Sequence, residues 1–552
     1  MTDQPDGIAE ELHELTGAGY EPRPGLTHRD ADWRGLRVLV TGLGISGFAA
    51  ADALWERGAQ VTVVEASPPG RSRAVDERAQ ILQVLGVDVR LGPEHTAAPA
   101  TPGMPLGGPA AVAEPDLVVT SPGWRPDQPL LVAAAARGIP VWGEVELAWR
   151  MRAPEGAAPW LTVTGTNGKT TTVNMLAAIL RASGLRATSA GNVGTPLLEA
   201  VLHPQPYDVL AVELSSFQLH WQRSVSPVAS ACLNVAADHI DWHGSFEEYL
   251  RAKGRVYART HIACVYNVQD PLTEQLVIDA DVVEGCRAVG FTLGVPAPSM
   301  VGVVEDVLAD RAFVEQRAHS AAELGTVADL RGEAPTVAPH YVANALAAAA
   351  LARAFGVGPL SVRDGLRGFR PDPHRIAEVA TIDGVRYVND SKATNPHAAE
   401  AALTSFGSVV WVAGGQLKGA DIDPLVEKVA GSLRGVVLIG ADRARIADAL
   451  ARHAPDVPVR DLGGADTVDV SIDPAGSGAP AAAPIEAVAA PIEAGERAEQ
   501  VMEAVVAAAA QLARPGDVVL LAPAAASLDM FPDYAARGRA FEAAVRRRQG
   551  GR

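Results

Sequence analysis

The chain of 552 residues is 48% hydrophobic and 20% charged, and its formal net charge is −18 at pH 7. At ~150 residues per domain that length predicts about three or four domains with ample core, and the acidic balance argues against a nucleic-acid partner, leaving phosphate ligands to local loops. Cys232, Cys264 and Cys286 are scattered without a C-x-x-C, so neither a disulfide framework nor a zinc site is expected.

Residues 1–34 are polar and punctuated by Pro5, Pro22 and Pro24, with no apolar signal core. No run of ~18 uninterrupted apolar residues could span a bilayer, so a cytoplasmic protein without membrane insertion is expected. Residues 36–41 then read as a strand that feeds Gly42-Leu43-Gly44-Ile45-Ser46-Gly47 and a helix through Ala49, Ala53 and Leu54. This is G-x-G-x-x-G between strand and helix, the loop that lets a diphosphate approach the backbone. Residues 61–64 form a second strand ending at Glu65, about where an acidic ribose partner would lie. On this segment alone a nicotinamide-dependent dehydrogenase is an alternative. Residues 117–120 predict another strand, followed by Ser121-Pro122-Gly123, either a ligand-binding turn or a plain one. Gly143-Glu144-Val145-Glu146-Leu147 leads towards the next domain.

The chain is organised around residues 159–172. A short apolar run ending in Val163 reads as a buried strand, Gly165-Thr166-Asn167-Gly168 as a loop, and Lys169 onward as a helix. Backbone N–H groups and the positive helix end then point at one anion, read here as a phosphate of ATP. Lys169 adds a cation at the outer phosphates and Thr170 a hydroxyl for Mg²⁺. The loop is shortened, because Val163 stands where the general phosphate-loop pattern has its first glycine. A glycine turn that merely precedes a helix is the bland alternative.

Downstream, Gly191-Asn192-Val193-Gly194 forms a loop, and residues 207–213 a strand with Glu213 at its end, suited to Mg²⁺ or a generic strand-end residue. Residues 228–235 are another strand, followed by Asp238-His239-Ile240-Asp241; His239 is a candidate metal ligand or a capped loop residue. Lys253 lies on a helix opened by Glu247 and Glu248, by default a solvated charge. Residues 263–267 form a further strand, with Asp270 beyond it, and His340 begins an Ala-rich helix carrying Asn344. The alternation predicts a second α/β sheet.

Pro371 and Pro373 suit a hinge. Beyond it, residues 385–388, 409–413, 436–440 and 517–521 predict a third set of parallel-type strands. They end in the polar loops Asn389-Asp390-Ser391-Lys392-Ala393-Thr394-Asn395-Pro396, Gly414-Gly415-Gln416-Leu417-Lys418-Gly419 and Ser527-Leu528-Asp529. Residues 468–494, rich in Ala, Pro and Gly, read as a disordered insertion without assigned function. The expected class is α/β with three domains. These are a Rossmann-like domain over residues 1–147 including the tail, a P-loop ATPase-like central domain with a mainly parallel sheet over 148–371, and a Rossmann-like C-terminal domain over 372–552.

From residue 36 to 541 these motifs resemble the Mur ligases, ATP-dependent amide-bond-forming enzymes of peptidoglycan synthesis. The Gly165–Thr170 loop is shared with folylpolyglutamate synthases, whereas the Asn389–Asn395 and Ser527–Asp529 stretches look most like the D-glutamate-adding branch. The resemblance implies a ligase that adds D-glutamate to UDP-N-acetylmuramoyl-L-alanine (UDP-MurNAc-L-Ala) through an acyl phosphate. It acts with ATP and two Mg²⁺ ions and as a monomer, and its first domain binds UDP rather than NAD. An amide ligase of the Mur or folylpolyglutamate type with another amino acid is the alternative; a nucleotide switch would hydrolyse ATP without one.

The resemblance also implies roles. Gly42, Gly44, Ser46, Gly47, Glu65, Ser121, Pro122, Gly123, Asn192, Ser215 and Gln218 would hold the UDP substrate, although Glu65-Ala66 replaces the polar pair that often contacts uracil. Gly165, Thr166, Asn167, Gly168, Lys169, Thr170, Thr171, Asn267, Asn344, Arg375 and Asp390 would hold ATP, with Asp270, His340 and His374 nearby. Thr170, Glu213, His239 and a CO₂-derived carbamate on Lys253 would bind metal. His239, Ser391, Lys392, Thr394, Lys418, Ser527, Leu528 and Tyr534 would surround D-glutamate, with Tyr534 where Phe is common. Lys169, His239, Lys253, Lys392 and Lys418 would act in catalysis. Trp242 stands where Arg is frequent in the family.

Overall fold

Short Val-, Leu- and Ala-rich runs bounded by glycine turns become buried strands, and most of them pair in parallel because helical segments separate them. The computed structural model describes residues 25–97, 104–107, 113–330, 337–370, 374, 376–462 and 494–550. The start of the N-terminal tail, the hinge prolines Pro371 and Pro373, Arg375 and residues 468–493 of the expected insertion lie outside the described residues. The chain divides into two compact units, Met1–Val235 with Phe246–Phe369, and Ala236–Ser245 with Arg370–Arg552.

The first unit carries two sheets. One comprises β1 (Arg37–Thr41), β2 (Gln60–Glu65), β3 (Asp88–Leu91), β4 (Leu117–Thr120) and β5 (Val141–Gly143) in the order β3-β2-β1-β4-β5, all parallel. The order reverses between β1 and β4, so the chain leaves these neighbours in opposite directions and opens a crevice beyond their carboxyl ends. The other sheet comprises β6 (Trp160–Thr164), β7 (Ala187–Gly191), β8 (Val209–Glu213), β9 (Ala229–Cys232), β10 (Ala263–Asn267), β11 (Arg287–Phe291), β12 (Met300–Val304), β13 (Val307–Asp310) and β14 (Ala322–Thr326). Its order is β14-β13-β12-β11-β10-β9-β6-β8-β7, parallel except at the β12-β13-β14 edge.

The helices Lys169–Ala182, Pro339–Ala354 and Pro359–Gly368 contribute to the apolar cluster on this second sheet. The unbroken buried run from Ala345 to Ala352, alanine at every position but Leu346 and Leu351, lets the Ala-rich helix lie close to its neighbours on several sides. Arg353 on that helix is paired with the buried Asp310 at 2.8 Å. Among the described residues no helix is long and apolar enough to cross a membrane. Cys264 and Cys286, far apart in sequence, bring their sulfurs to 3.8 Å, because Cys264 lies on β10 and Cys286 directly precedes the adjacent β11; all three cysteines are free.

The second unit carries β15 (Ala377–Ile382), β16 (Val385–Asn389), β17 (Val409–Gly414), β18 (Leu433–Ile439), β19 (Val459–Asp461) and β20 (Val518–Leu521) in the order β15-β16-β20-β17-β18-β19. The expected strands β16, β20, β17 and β18 pair in parallel, and β15, which the sequence reading did not include, joins β16 in an antiparallel hairpin. Its turn is Asp383-Gly384 with φ of 53° and 76°, the left-handed pair that matches the twist of a two-residue hairpin. Apolar clusters cover both faces of this sheet.

Gly365 marks the closest approach of two helices in the first unit. A Cβ there would lie 2.4 Å from Ile179 Cα, a backbone atom that cannot rotate away. Gly365→Ala is therefore expected to destabilise the chain by about 1–3 kcal/mol, although alanine is the better helix former by ~1 kcal/mol. The check is the denaturant midpoint; an unchanged or higher value would mean that the helices separate freely.

Candidate functional site

The crevice of the first sheet is built from tight turns. Gly42 follows β1 with φ 88°, and a Cβ on Gly47 would lie 1.9 Å from the Gly42 carbonyl oxygen, so the helix Ile45–Glu56 sits directly on the loop. Ser121, just after β4, donates from Oγ to that same carbonyl at 3.3 Å. Glu65 at the end of β2 accepts the Leu43 N–H at 2.8 Å and the Ser67 N–H at 2.9 Å. Its carboxylate therefore shapes the glycine loop. Gly44, Ser46, Pro122 and Gly123 complete this wall of a cleft of about 480 Å³; Asn192, from the loop after β7, and Gln218 form the other. Gly47 lies behind the loop. Ser215 and Gln218 cap the short helix Ser216–His220 reciprocally, each side chain taking a backbone N–H of the other. Trp124 and Glu144 also line the cleft and escaped the sequence reading; the position of Glu144 directly after a strand end was the available signal.

The loop after β6 is held from below. Asn234 accepts the Asn167 N–H on Oδ1 at 2.8 Å and donates Nδ2 to the Asn167 carbonyl at 3.1 Å, and its own carbonyl takes the Thr166 N–H at 2.9 Å. Gly168 has φ 83°, and a Cβ there would lie 2.4 Å from Asn344 Oδ1, so glycine is required on both grounds. Lys169 Nζ donates to the carbonyls of Gly165 and Thr166 at 2.8 and 2.9 Å. Lys253 Nζ donates to the same Gly165 carbonyl at 2.9 Å. Lys253 is 2% exposed, with its ammonium 4.8 Å from the ring centre of Tyr249, which corrects the default of a solvated charge: the helix Phe246–Gly254 turns it inward.

Glu213 at the end of β8 is buried. Oε1 accepts Asn192 Nδ2 at 3.0 Å, while Oε2 has no hydrogen-bond partner; buried Thr171 Oγ1 is likewise without one. An orphaned buried carboxylate oxygen beside a phosphate-type loop, together with the buried Thr170, makes a hard-oxygen donor set that fits Mg²⁺. Among the described residues no three His, Cys, Asp or Glu side chains form a ready-made metal cluster, so phosphate and water would complete such a shell.

Other expected nucleotide ligands serve the backbone. Asp270 caps the helix Pro271–Ile278 through the Leu272 N–H at 3.1 Å and accepts the Val235 N–H at 2.7 Å. Asn267 donates to the Leu233 carbonyl and accepts the Gln269 N–H, both at 3.0 Å. His340 is exposed in the first turn of its helix.

In the second unit three loops at the carboxyl ends of β16, β17 and β20 meet on Arg537. Its guanidinium, 1% exposed, donates to Ser391 Oγ at 3.0 Å, to the carbonyls of Ser391 and Ala525 at 2.9 and 3.1 Å, and to that of Gly414 at 3.4 Å. Burial pushes its pKa down to about 10, so it remains the cation at neutral pH. Nothing in the local sequence marked it out. Ser391 Oγ donates to the Tyr534 carbonyl at 2.7 Å, and Lys392 Nζ stands 5.3 Å from the Tyr534 ring centre. Thr394 and Lys418 are half-buried, Ser527 is buried and Leu528 is 65% exposed.

His239, Lys418 and Ala524 hold left-handed backbone with φ of 55°, 52° and 59°. Such strain in non-glycine residues concentrates at functional loops. His239 Nε2 lies 3.6 Å from Asp238 Oδ2, and Asn395 Nδ2 donates to that oxygen at 3.4 Å. Asp390 Oδ1 accepts the Ile376 N–H at 3.3 Å. His374 is buried with Nδ1 at 2.7 Å from Asn389 Nδ2 and 3.2 Å from Glu542 Oε1, an internal link of this unit. Arg375 lies outside the described residues.

The family model of the Mur ligase middle domain matches residues 163–352, and that of the Mur ligase glutamate ligase domain matches 374–525. The chain is 56% identical over 515 residues to a UDP-N-acetylmuramoylalanine–D-glutamate ligase of Streptomyces avermitilis, covering 93% of this chain and 99% of the relative. A relative of the same name from Leifsonia xyli is 50% identical, with 97% of each chain covered. Among solved structures, UDP-N-acetylmuramate-alanine ligase MurC from Thermotoga maritima superposes with a TM-score of 0.50 at 18% identity, covering 94% of this chain and 100% of the other.

Arg537→Met removes the donors that tie three loops together and leaves buried acceptors unmet, each costing ~1–3 kcal/mol. The second unit is expected to lose at least about 3 kcal/mol, read as a lower denaturant midpoint. A loss below about 1 kcal/mol would mean that the loops support one another without the guanidinium.

Proposed function

The chain belongs to the Mur ligases, in the family of its UDP-N-acetylmuramoylalanine–D-glutamate ligase relatives, and on that premise we propose a mechanism for its residues. It is an ATP-dependent ligase that adds D-glutamate to UDP-MurNAc-L-Ala. The observation that carries this conclusion is 56% identity to such a ligase across 99% of that relative's length. The same relationship displaces the dehydrogenase and folylpolyglutamate alternatives.

A carboxylate is a poor electrophile, so its oxygen must become a leaving group before an amine attacks. In our reading the L-alanine carboxylate takes the γ-phosphoryl group of ATP, forming a C–O–P linkage and releasing ADP. The D-glutamate amine attacks the acyl carbon, loses a proton, and the tetrahedral intermediate expels inorganic phosphate. No protein nucleophile is needed; the chain supplies position and charge.

We assign one function to each sheet, with Rossmann-like, P-loop and Rossmann-like domains over residues 1–147, 148–371 and 372–552. The 480 Å³ cleft would take the UDP substrate, with Gly42, Gly44 and Ser46 at the diphosphate and Ser121, Asn192 and Gln218 along its length. Lys169 would leave its loop carbonyls to meet the outer phosphates of ATP. Ser391, Lys392, Thr394, Lys418, Ser527 and Tyr534 would orient D-glutamate. Thr170, Glu213 and the modified Lys253 would hold Mg²⁺, which supplies charge neutralisation at the phosphates when bound.

A carbamate on Lys253 is supported by its surroundings. Two ammonium groups share the Gly165 carbonyl, a repulsive arrangement in a buried place. Addition of CO₂ to the neutral amine, with loss of a proton, forms an N–C bond and turns one cation into an anion. The resulting oxygens attract both Lys169 and Mg²⁺. We place the enzyme in the cytoplasm as a monomer with small-molecule partners.

The test is phosphate release from ATP and Mg²⁺ with UDP-MurNAc-L-Ala across a panel of D- and L-amino acids. Release with D-glutamate and a product heavier by one glutamyl residue is expected; release with another amino acid would move the chain to a sister activity. Lys169→Ala should retain the fold and lose roughly 10²–10³ in rate, the usual cost of one charge-stabilising donor. Near-full activity would reject this role. Lys253→Ala should be slow and insensitive to bicarbonate, with partial rescue by a short-chain carboxylate; a bicarbonate-insensitive wild-type enzyme would argue against the carbamate.

A further inference from the structure

Glu144 is a cleft residue to which the ligase mechanism gives no task. It opens the helix Glu144–Arg150 directly after β5, and although only 2% exposed it lines the cleft with Ser46 and Ser121. Two neutral donors reach it: Ser46 Oγ on Oε2 and the Leu198 N–H on Oε1, each at 3.2 Å. Among the described residues no cation is paired with it. Burial raises its pKa above the ordinary carboxylate range and Glu199, on the helix Leu197–Val201, pushes the same way, against the hydrogen bonds from Leu198, Ser46 and Leu197. The other ionisable group lining the cleft is Glu65, and Ser121, Asn192 and Gln218 are neutral.

A buried carboxylate without a counter-ion is misplaced in a wall that faces a diphosphate, because two negative charges in a low-dielectric cleft repel it. We infer that Glu144 takes up one proton from solvent when the UDP-linked substrate binds, and that its neutral carboxyl then donates an O–H to an oxygen of the diphosphate or the adjoining sugar. Oε1 keeps the Leu198 N–H, and Oε2 carries the proton towards the ligand while a lone pair of the same oxygen still accepts from Ser46 Oγ. Only O–H bond formation is involved, and the proton comes from the buffer. The inference rests on the ligase reading for the identity of the ligand. Glu144 thereby becomes a positioning and specificity residue that favours a diphosphate-linked sugar and admits it with its charge compensated.

The sign follows from linkage. A carboxyl whose pKa is higher in the complex than in the free enzyme favours binding at low pH, and affinity falls as pH rises between the two values, by up to about tenfold per unit.

Titration calorimetry of UDP-MurNAc-L-Ala into the full-length enzyme without ATP, in buffers of differing ionisation enthalpy from about pH 6 to 9, reads this directly. The diphosphate diester and the L-alanine carboxylate do not titrate there and the uracil N3–H does so only towards the alkaline end, so proton uptake below about pH 8 reports the protein. Uptake approaching one proton is expected for the wild-type enzyme, with affinity falling as pH rises. Glu144→Gln, neutral at every pH, should abolish the uptake, flatten the profile and bind at least as tightly as wild type near the alkaline end. Binding without proton uptake, or a tenfold weaker Glu144→Gln, would overturn the inference. Absence of any binding by the wild-type enzyme would instead overturn the assignment of the UDP substrate.

Discussion

The carbonyl oxygen of Gly165 receives two ammonium groups, those of Lys169 and Lys253, and the architecture of the first unit follows from holding that point in place. Parallel pairing puts the carboxyl ends of β6, β8 and β9 on one edge of the sheet. That edge delivers the glycine loop, Glu213 and Asn234 together, and the helix Phe246–Gly254 brings Lys253 underneath. Asn234 fixes the loop through three hydrogen bonds, and Gly168 leaves Asn344 the space it occupies. The result is a cradle whose cations already face inward. Within it, Oε2 of the buried Glu213 has no hydrogen-bond partner.

The second unit reaches similar order by other means. Backbone carbonyls from the loops at the carboxyl ends of β16, β17 and β20 converge there on one point. Arg537 gathers them with one guanidinium that donates to Ser391, Gly414 and Ala525, three loops of the same unit. A planar fork of donors suits this task better than an ammonium, because it satisfies several fixed acceptors at once. The left-handed residues Lys418 and Ala524 lie in or next to the loops so gathered, where surrounding packing sustains a backbone that would not persist alone.

The roles expected of polar residues at strand ends diverge in an instructive way. Lys169 and Glu213 stand where phosphate and metal chemistry would use them. Lys169 donates to the Gly165 and Thr166 carbonyls, and Asp270, Asn267 and His374 likewise use polar atoms inside the protein: on Val235 and Leu272, on Leu233 and Gln269, and on Asn389 and Glu542. Loop backbones must be satisfied wherever they are buried, and the residue types that bind ligands also satisfy backbones. Local pattern cannot separate the two uses. Glu144 and Arg537 are the converse, residues in ordinary helical sequence that long-range packing carries to a cleft wall and to a loop junction.

By itself the sequence determined the α/β character, the glycine loops after β1 and β6, the strand-end positions of Glu213 and Ser391, and kinship with the Mur ligases. These features are local: strand runs, turn residues and helix starts obey short-range sterics and periodicity, which are legible along the chain. The tertiary structure alone decided that Lys253 is buried against Gly165 and that Glu65 shapes its own loop. It also decided that Asp383-Gly384 closes an antiparallel hairpin and that Arg537 binds three loops together. Each of these depends on which strand lies beside which. Strand order is a property of the packed sheet, where burial of a charge or a carbonyl leaves one set of partners within reach.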